Sequence, residues 1–253
     1  MKRSRFRRVR SLLRRIPPNL RFPVAVLAAL ALFLAVNWVY QVARKPAELL
    51  FPVSGVLNKT PAETWAEYRP LFRRHSTAVM APELLAALAQ VEGAGNPAAR
   101  TYWRMRLTTQ PFEVYKPASS AVGMYQITDG TFREARRYCI HDHAVVEDGP
   151  WHDWRSCWFN GLYTRIVPSH AVEMTSAFLD RQVAGIARGR ESLQQKQDLA
   201  AVIHLCGAGA GRAYAQRGYQ PAPGQACGEH ELRGYLGRVN AMKRVFARLD
   251  AAG

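Results

Sequence analysis

Two stretches decide how this chain is read. The first is Pro82-Glu83-Leu84-Leu85-Ala86-Ala87-Leu88-Ala89-Gln90-Val91-Glu92-Gly93, and the second is Ser119-Ser120-Ala121-Val122-Gly123-Met124-Tyr125-Gln126-Ile127. Good helix formers run through the first, with Pro in its opening turn. Leu84, Leu85, Leu88 and Val91 recur at helical spacing and predict one buried face. Glu92 stands four residues after Leu88 and seven after Leu85, on or beside that stripe. Gly93 and Gly95 suit a helix C-terminus. A carboxyl group there meets burial and the negative end of the helix dipole, both of which favour its protonated form. A general acid working near neutral pH requires that bias. On pattern alone, a Glu pointing into water from the last turn is the competing reading.

The N-terminus is read from charge. Lys2, Arg3, Arg5, Arg7, Arg8, Arg10, Arg14, Arg15 and Arg21 crowd residues 1–21, which hold no acidic residue. Residues 22–43 then carry no charge and are rich in Ala, Leu and Val. As a helix they extend about 33 Å, enough to cross a bilayer. Trp38 and Tyr40 sit near the far end, where an aromatic belt belongs. Nine positive charges against Arg44 and Lys45 place the N-terminus in the cytoplasm. A cleaved signal peptide would have a shorter apolar core and small residues before the cut, and Gln41-Val42-Ala43 fits that poorly. The segment is therefore expected to be an uncleaved signal anchor. The basic arm is topogenic and meets anionic lipid; nucleic-acid binding is the rival reading of its charge.

Residues 44–59, with Pro46, Pro52 and Gly55, read as a tether. Residues 60–253 read as one globular domain. Beyond residue 43 the chain keeps 26 basic and 19 acidic residues, a formal charge of +7. That balance suits an anionic polymer. Thr60-Pro61-Ala62-Glu63 is a helix start with a capping box. Further helices are expected at about 82–92, 97–107, 129–138, 169–187, 193–205 and 230–249. Ala171, Met174, Phe178 and Val183 give one of them an apolar face; Leu236, Val239, Met242, Val245, Phe246 and Leu249 give the last another. A short hairpin is expected around 107–127. Long alternating strands are missing, so the fold class is mainly α.

Four cysteines, Cys139, Cys157, Cys206 and Cys227, follow the apolar segment. An even count beyond a membrane span points to an oxidising compartment. Three connectivities exist for four cysteines. Sequential pairing, Cys139–Cys157 and Cys206–Cys227, closes two short loops and is the expected one, at about 3 kcal/mol each on chain entropy. Cys139, His141, Asp142, His143, His152 and Cys157 are also zinc-compatible, but their spacing is not one of the usual finger patterns. The neighbouring Trp151-His152-Asp153-Trp154-Arg155-Ser156-Cys157-Trp158 is dense in aromatic residues, suited either to core packing or to stacking on sugar rings.

Taken together, Ala89-Gln90-Val91-Glu92-Gly93 and Ser120-Ala121-Val122-Gly123-Met124-Tyr125-Gln126 resemble the catalytic core of the soluble lytic transglycosylase family, relatives of goose-type lysozyme. Glu92 matches the family's catalytic acid. Gly93 stands where the family usually has Ser. Ser120, Gly123, Met124 and Gln126 match its small-x-x-Gly-Leu-x-Gln block, and Gln126 offers both a donor and an acceptor to a sugar. Val202-Ile203-His204-Leu205-Cys206-Gly207 aligns with Ala-Tyr-Asn-x-Gly, with His204 at the Tyr position and Leu205 at the Asn position. Tyr235-Leu236-Gly237-Arg238-Val239 resembles Tyr-x-x-Lys-Val, whose Tyr sits beside the acid. The resemblance covers roughly residues 82–245.

It implies a lysozyme-like fold with its cleft between helical lobes. Glu92 would be the acid/base; Ser120, Gly123, Met124, Tyr125, Gln126, His204 and Tyr235 would line the substrate. The substrate would be peptidoglycan strands, cut between N-acetylmuramic acid and N-acetylglucosamine. No metal or organic cofactor is implied. The location would be a bacterial inner membrane, spanned once through residues 22–43, with the domain in the periplasm and no nucleic-acid partner. Glu113, Asp129 and Asp153 are the acidic residues that a second catalytic carboxylate would be drawn from. A hydrolysing muramidase and a non-catalytic glycan-binding scaffold are the alternatives.

Overall fold

The computed structural model describes residues 17–50, 54–153 and 155–252. Most of the basic arm, Pro52 of the tether and Trp154 of the aromatic insert lie outside the described residues. The chain is mainly helical and divides into two compact units, 1–48 with 103–117, and 49–102 with 118–253.

The first unit is built on α1, Pro18–Arg44, whose 27 residues are long and apolar enough to cross a membrane. Its buried residues, Asn37 and Gln41, are both polar. Their amide N–H groups meet a hairpin of β1 (Trp103–Met105) and β2 (Tyr115–Pro117), paired antiparallel with Trp103 opposite Pro117 and Met105 opposite Tyr115, while the Asn37 Oδ1 stays buried without a partner. The Asn37 amide donates to the Tyr115 carbonyl at 2.7 Å, and the Gln41 amide donates to the Phe112 carbonyl at 2.6 Å. Phe33, Asn37, Tyr40 and Arg44 share one helical face. The Phe112 ring stacks against Phe33 and Tyr40, at 6.4 and 4.8 Å between centroids. Arg44 pairs with Glu113 at 2.8 Å, and Lys116 joins the same carboxylate. Trp103 donates its ring N–H to Glu48 at 2.9 Å.

Among the described residues the second unit carries six long or medium α-helices: α2 (Pro61–Arg74), α3 (Pro82–Gly93), α4 (Asp129–Ala135), α5 (Pro168–Ala184), α6 (Leu193–Gln216) and α7 (Leu232–Ala251). The capping box at Thr60 and Glu63 forms as expected, each group satisfying the other's backbone N–H. Helix α3 is apolar on every side. Leu84 through Ala89 are all buried, which makes it the central helix rather than an amphipathic one. Around it pack Trp65, Tyr68 and Phe72 from α2, Met174 and Leu179 from α5, Leu199 to Ile203 from α6, and Tyr235, Val239 and Phe246 from α7.

Several boundaries differ from expectation. No helix spans 97–107. The Asn96 side chain accepts from the Ala98 N–H and turns the chain, and aromatic Trp103 then enters β1. The hairpin falls at 103–117 rather than 107–127. Helix α4 ends at Ala135, and Tyr138–His141 pairs instead with Ala144–Glu147 as strands β3 and β4. Helix α6 runs past 205 to Gln216 with a break at Gly207, whose φ of 81° is left-handed. Strands β5 (Ala226–Cys227) and β6 (His230–Glu231) precede α7. Residues 54–59 are pinned: Asn96 donates to the Ser54 carbonyl and to Asn58, and Ser54 donates to the Ala98 carbonyl.

Both disulfides form in sequential order, Cys139–Cys157 and Cys206–Cys227. The second clips the break in α6 to β5. His143 of the Cys-x-His-x-His stretch lies instead 2.9 Å from the Ser76 carbonyl.

Candidate active site

Glu92 occupies the last turn of α3 and is mostly buried, its side chain keeping 15% exposure. The turn closes through Ala94, which takes the left-handed conformation at φ 49°, and not through a glycine. Gly95 follows at φ 63°, where a side chain would run into Thr64.

Two residues from other helices meet the carboxylate. Tyr235, near the start of α7, donates its hydroxyl to Glu92 Oε1 at 2.5 Å. His204, one turn before the end of the first segment of α6, brings Nε2 to 3.7 Å from the same oxygen. Burial pushes the Tyr235 phenol well above its ordinary range, and the neighbouring carboxylate adds to this. Tyr235 is therefore a fixed hydrogen-bond donor, never a competing base. Below His204 lies Tyr125, ring edge to face at 6.5 Å.

Gly93 lies at a close approach of two main-chain segments. A Cβ there would fall 2.9 Å from both Cα and the carbonyl oxygen of Met124. The main chain of α3 thus lies directly on that of the second motif. A serine does not fit without moving one of them.

The loop 118–127 is shaped by backbone pairing and by one distant side chain. Val122 and Ile127 exchange hydrogen bonds, and Gly123 donates to the Ala99 carbonyl at 2.8 Å. Gly123 sits at φ 81°, and a Cβ would collide with the Arg165 carbonyl at 2.3 Å. Gln126 adopts a left-handed φ of 48°. Its amide donates to the carbonyls of Gly123 and Ala99, at 2.9 and 3.2 Å. Arg165 donates to the carbonyls of Ser120 and Ile127 at 2.9 and 2.8 Å, pairs with Asp129 at 2.8 Å, and lies over the Phe132 ring.

The residues expected to line the substrate divide into two groups. Gln126 and His204 border an open cleft of about 230 Å³, lined also by Thr128, Thr131, Phe178, Ile203 and Leu205. Glu92 is not among its lining residues and adjoins it through His204. Ser120 uses its hydroxyl to accept from the Asp129 N–H at 3.1 Å. Met124 and Tyr125 are completely buried, and Tyr125 donates to the Leu85 carbonyl at 3.1 Å. These two build the floor under the site and do not face a ligand. Gly123 likewise serves backbone geometry.

The three carboxylates considered as a second catalytic group are engaged elsewhere. Glu113 belongs to the first unit. Asp129 pairs with Arg165, and Asp153 accepts from the Arg155 N–H. Of the residues that matter here, Arg165 carried no signal in the sequence, because a lone arginine in a loop shows no periodicity.

No family model matches the chain, and a search of the curated proteins returns no match.

Proposed function

We propose that the chain is a membrane-anchored peptidoglycan lytic transglycosylase with a lysozyme-like catalytic domain. One observation carries this reading: a mostly buried carboxyl group at a helix end, held by the Tyr235 hydroxyl and bordered by His204, beside an open cleft. That is the arrangement of a single positioned acid/base.

Glu92 gives its proton to the glycosidic oxygen between N-acetylmuramic acid and N-acetylglucosamine, and the C–O bond breaks. The sugar's own 2-acetamido oxygen forms a bond to the anomeric carbon in place of an enzyme nucleophile. The C6 hydroxyl then displaces that oxygen and Glu92 takes its proton back, leaving a 1,6-anhydro end. Such substrate assistance is a known exception to the two-carboxylate rule. The pairing of Asp129 with Arg165 and the bond that Asp153 accepts from the Arg155 N–H support it. Helix α1 serves as the inner-membrane anchor with its N-terminus in the cytoplasm. The two disulfides suit an oxidising periplasm. The formal charge of +7 beyond residue 43 suits a glycan whose peptides carry carboxylates.

The test is digestion of purified sacculi and weighing of the released muropeptides. Products lighter by one water than hydrolysed ends are expected. Reducing ends alone would make the protein a muramidase, and intact sacculi with retained binding would make it a scaffold.

A further inference from the structure

The hairpin at 103–117 interrupts the chain between the two catalytic motifs, yet it packs on α1. Its contacts run along one face of that helix from Phe33 to Arg44, about 16 Å at the helical rise. The whole helix is about 40 Å long, against a hydrocarbon core of about 30 Å. The hairpin contact is longer than the about 10 Å left outside the core, so it runs from the headgroup layer to acyl depth at the Asn37–Arg44 end, where polar side chains collect. Asn37 and Gln41 need partners at that depth, and hairpin carbonyls supply them. Tyr40 stacks on Phe112 and Trp103 packs against Tyr115 at the same end, and aromatic rings favour membrane interfaces.

Beyond these contacts the hairpin is unusual for a water-facing surface. Met105 is 77% exposed and Leu107 is fully exposed, and Arg104 and Arg106 alternate with them, also exposed. We propose that this hairpin is a lipid-binding collar. Met105 and Leu107 enter the acyl boundary of the outer leaflet, and Arg104 and Arg106 bind the phosphates of anionic phospholipids. Guanidinium groups match phosphate geometry, and apolar side chains beside them match the layer just below. The collar gives the chain a second hold on the membrane. The inference rests on the reading of α1 as a membrane span.

The test uses the full chain, labelled with a nitroxide under non-reducing conditions and reconstituted in phosphatidylethanolamine–phosphatidylglycerol vesicles. Labels are placed singly through Leu107→Cys, Leu27→Cys and Arg190→Cys, the last as a water-exposed reference. Accessibility to oxygen is divided by accessibility to a water-soluble nickel chelate. A ratio at position 107 at least threefold above the reference is expected. It should drop toward the reference when Arg104→Glu and Arg106→Glu are combined, and in vesicles of phosphatidylcholine alone. A lipid-like label at 27 with a water-like label at 107 overturns the collar and leaves the anchor standing. A water-like label at 27 removes the anchor itself. A ratio at 107 indifferent to both charge changes overturns the anionic-lipid assignment. Spin–spin broadening at 107 that grows with protein density would assign the tip to a second copy and overturn the proposal.

Discussion

A Cβ built on Gly93 lies 2.9 Å from the main chain of Met124. The close approach joins the helix that carries Glu92 to the loop that carries Gln126. Replacing Gly93 with Ser or Ala is therefore expected to overpack the junction by about 1–3 kcal/mol. Thermal or denaturant unfolding measures it. A Gly93→Ser protein as stable as the parent would show that the two segments separate freely.

Tyr235→Phe keeps the buried ring and removes only the donor to Glu92. A hydrogen bond to a charged group contributes about 1.5–3 kcal/mol, so the unfolding free energy is expected to fall by up to that amount and turnover, which depends on a positioned Glu92, to drop about 10–100-fold. Glu92→Gln is expected to lower turnover about 10²–10⁴-fold while the fold persists. Initial rates on sacculi, with circular dichroism as the fold control, check both. Undiminished activity in folded Glu92→Gln would remove this residue from the chemistry.

Arg165→Ala withdraws two charged donors from loop carbonyls. Destabilisation of about 2–4 kcal/mol is expected from hydrogen bonds of that class. Arg165→Lys should recover only part of it, because a single ammonium does not reproduce the guanidinium fork. Hydrogen exchange at 119–127 distinguishes local loosening from global unfolding.

Stability should fall in acid through His75. Its ring is buried beside Glu173, with Nδ1 3.9 Å from the carboxylate, too far for a hydrogen bond. Burial outweighs the attraction of Glu173 and, helped by Arg74, holds the imidazole below its ordinary pKa. His170 is displaced in the same direction by burial. A depressed histidine favours the fold while neutral. The contribution is complete above about pH 6.5 and is lost as pH falls through the lower folded value. Unfolding free energy measured from pH 7.5 to 5 should decline, and His75→Gln should flatten the slope. A parent curve with no decline would refute the assignment.

Breaking Cys206–Cys227 by a double change to Ala should cost about 3 kcal/mol on chain entropy. Activity should suffer more than from loss of Cys139–Cys157, because Cys206 lies two residues from His204 and adjoins the break at Gly207. Parallel melts and digests of the two variants rank them.

How much was legible depended on how local the cause was. Helix α3 was readable because good helix formers, a first-turn Pro and regular leucines agree. The cysteine pairs were readable because short loops close easily. The meeting of Tyr235 with Glu92 joins segments 143 residues apart and was reached only through resemblance to a family. The hairpin was misplaced because its strands are three residues long and its partner, α1, is some seventy residues away. Arg165 escaped because it recognises carbonyl groups, which every residue has. Met124 and Tyr125 matched a motif for reasons of packing, and a motif does not distinguish a floor from a wall.

Arg165 holds the carbonyls of Ser120 and Ile127, while its own carbonyl closes on Gly123. The path of the loop is thus written in main-chain atoms that no substitution within the loop deletes, apart from proline or a Cβ at Gly123. Tolerance to mutation should be distributed accordingly. Exposed Ser119 can vary at the cost of the bond its hydroxyl accepts from the Ala121 N–H, whereas a change some forty residues downstream at Arg165 reshapes the whole loop at once.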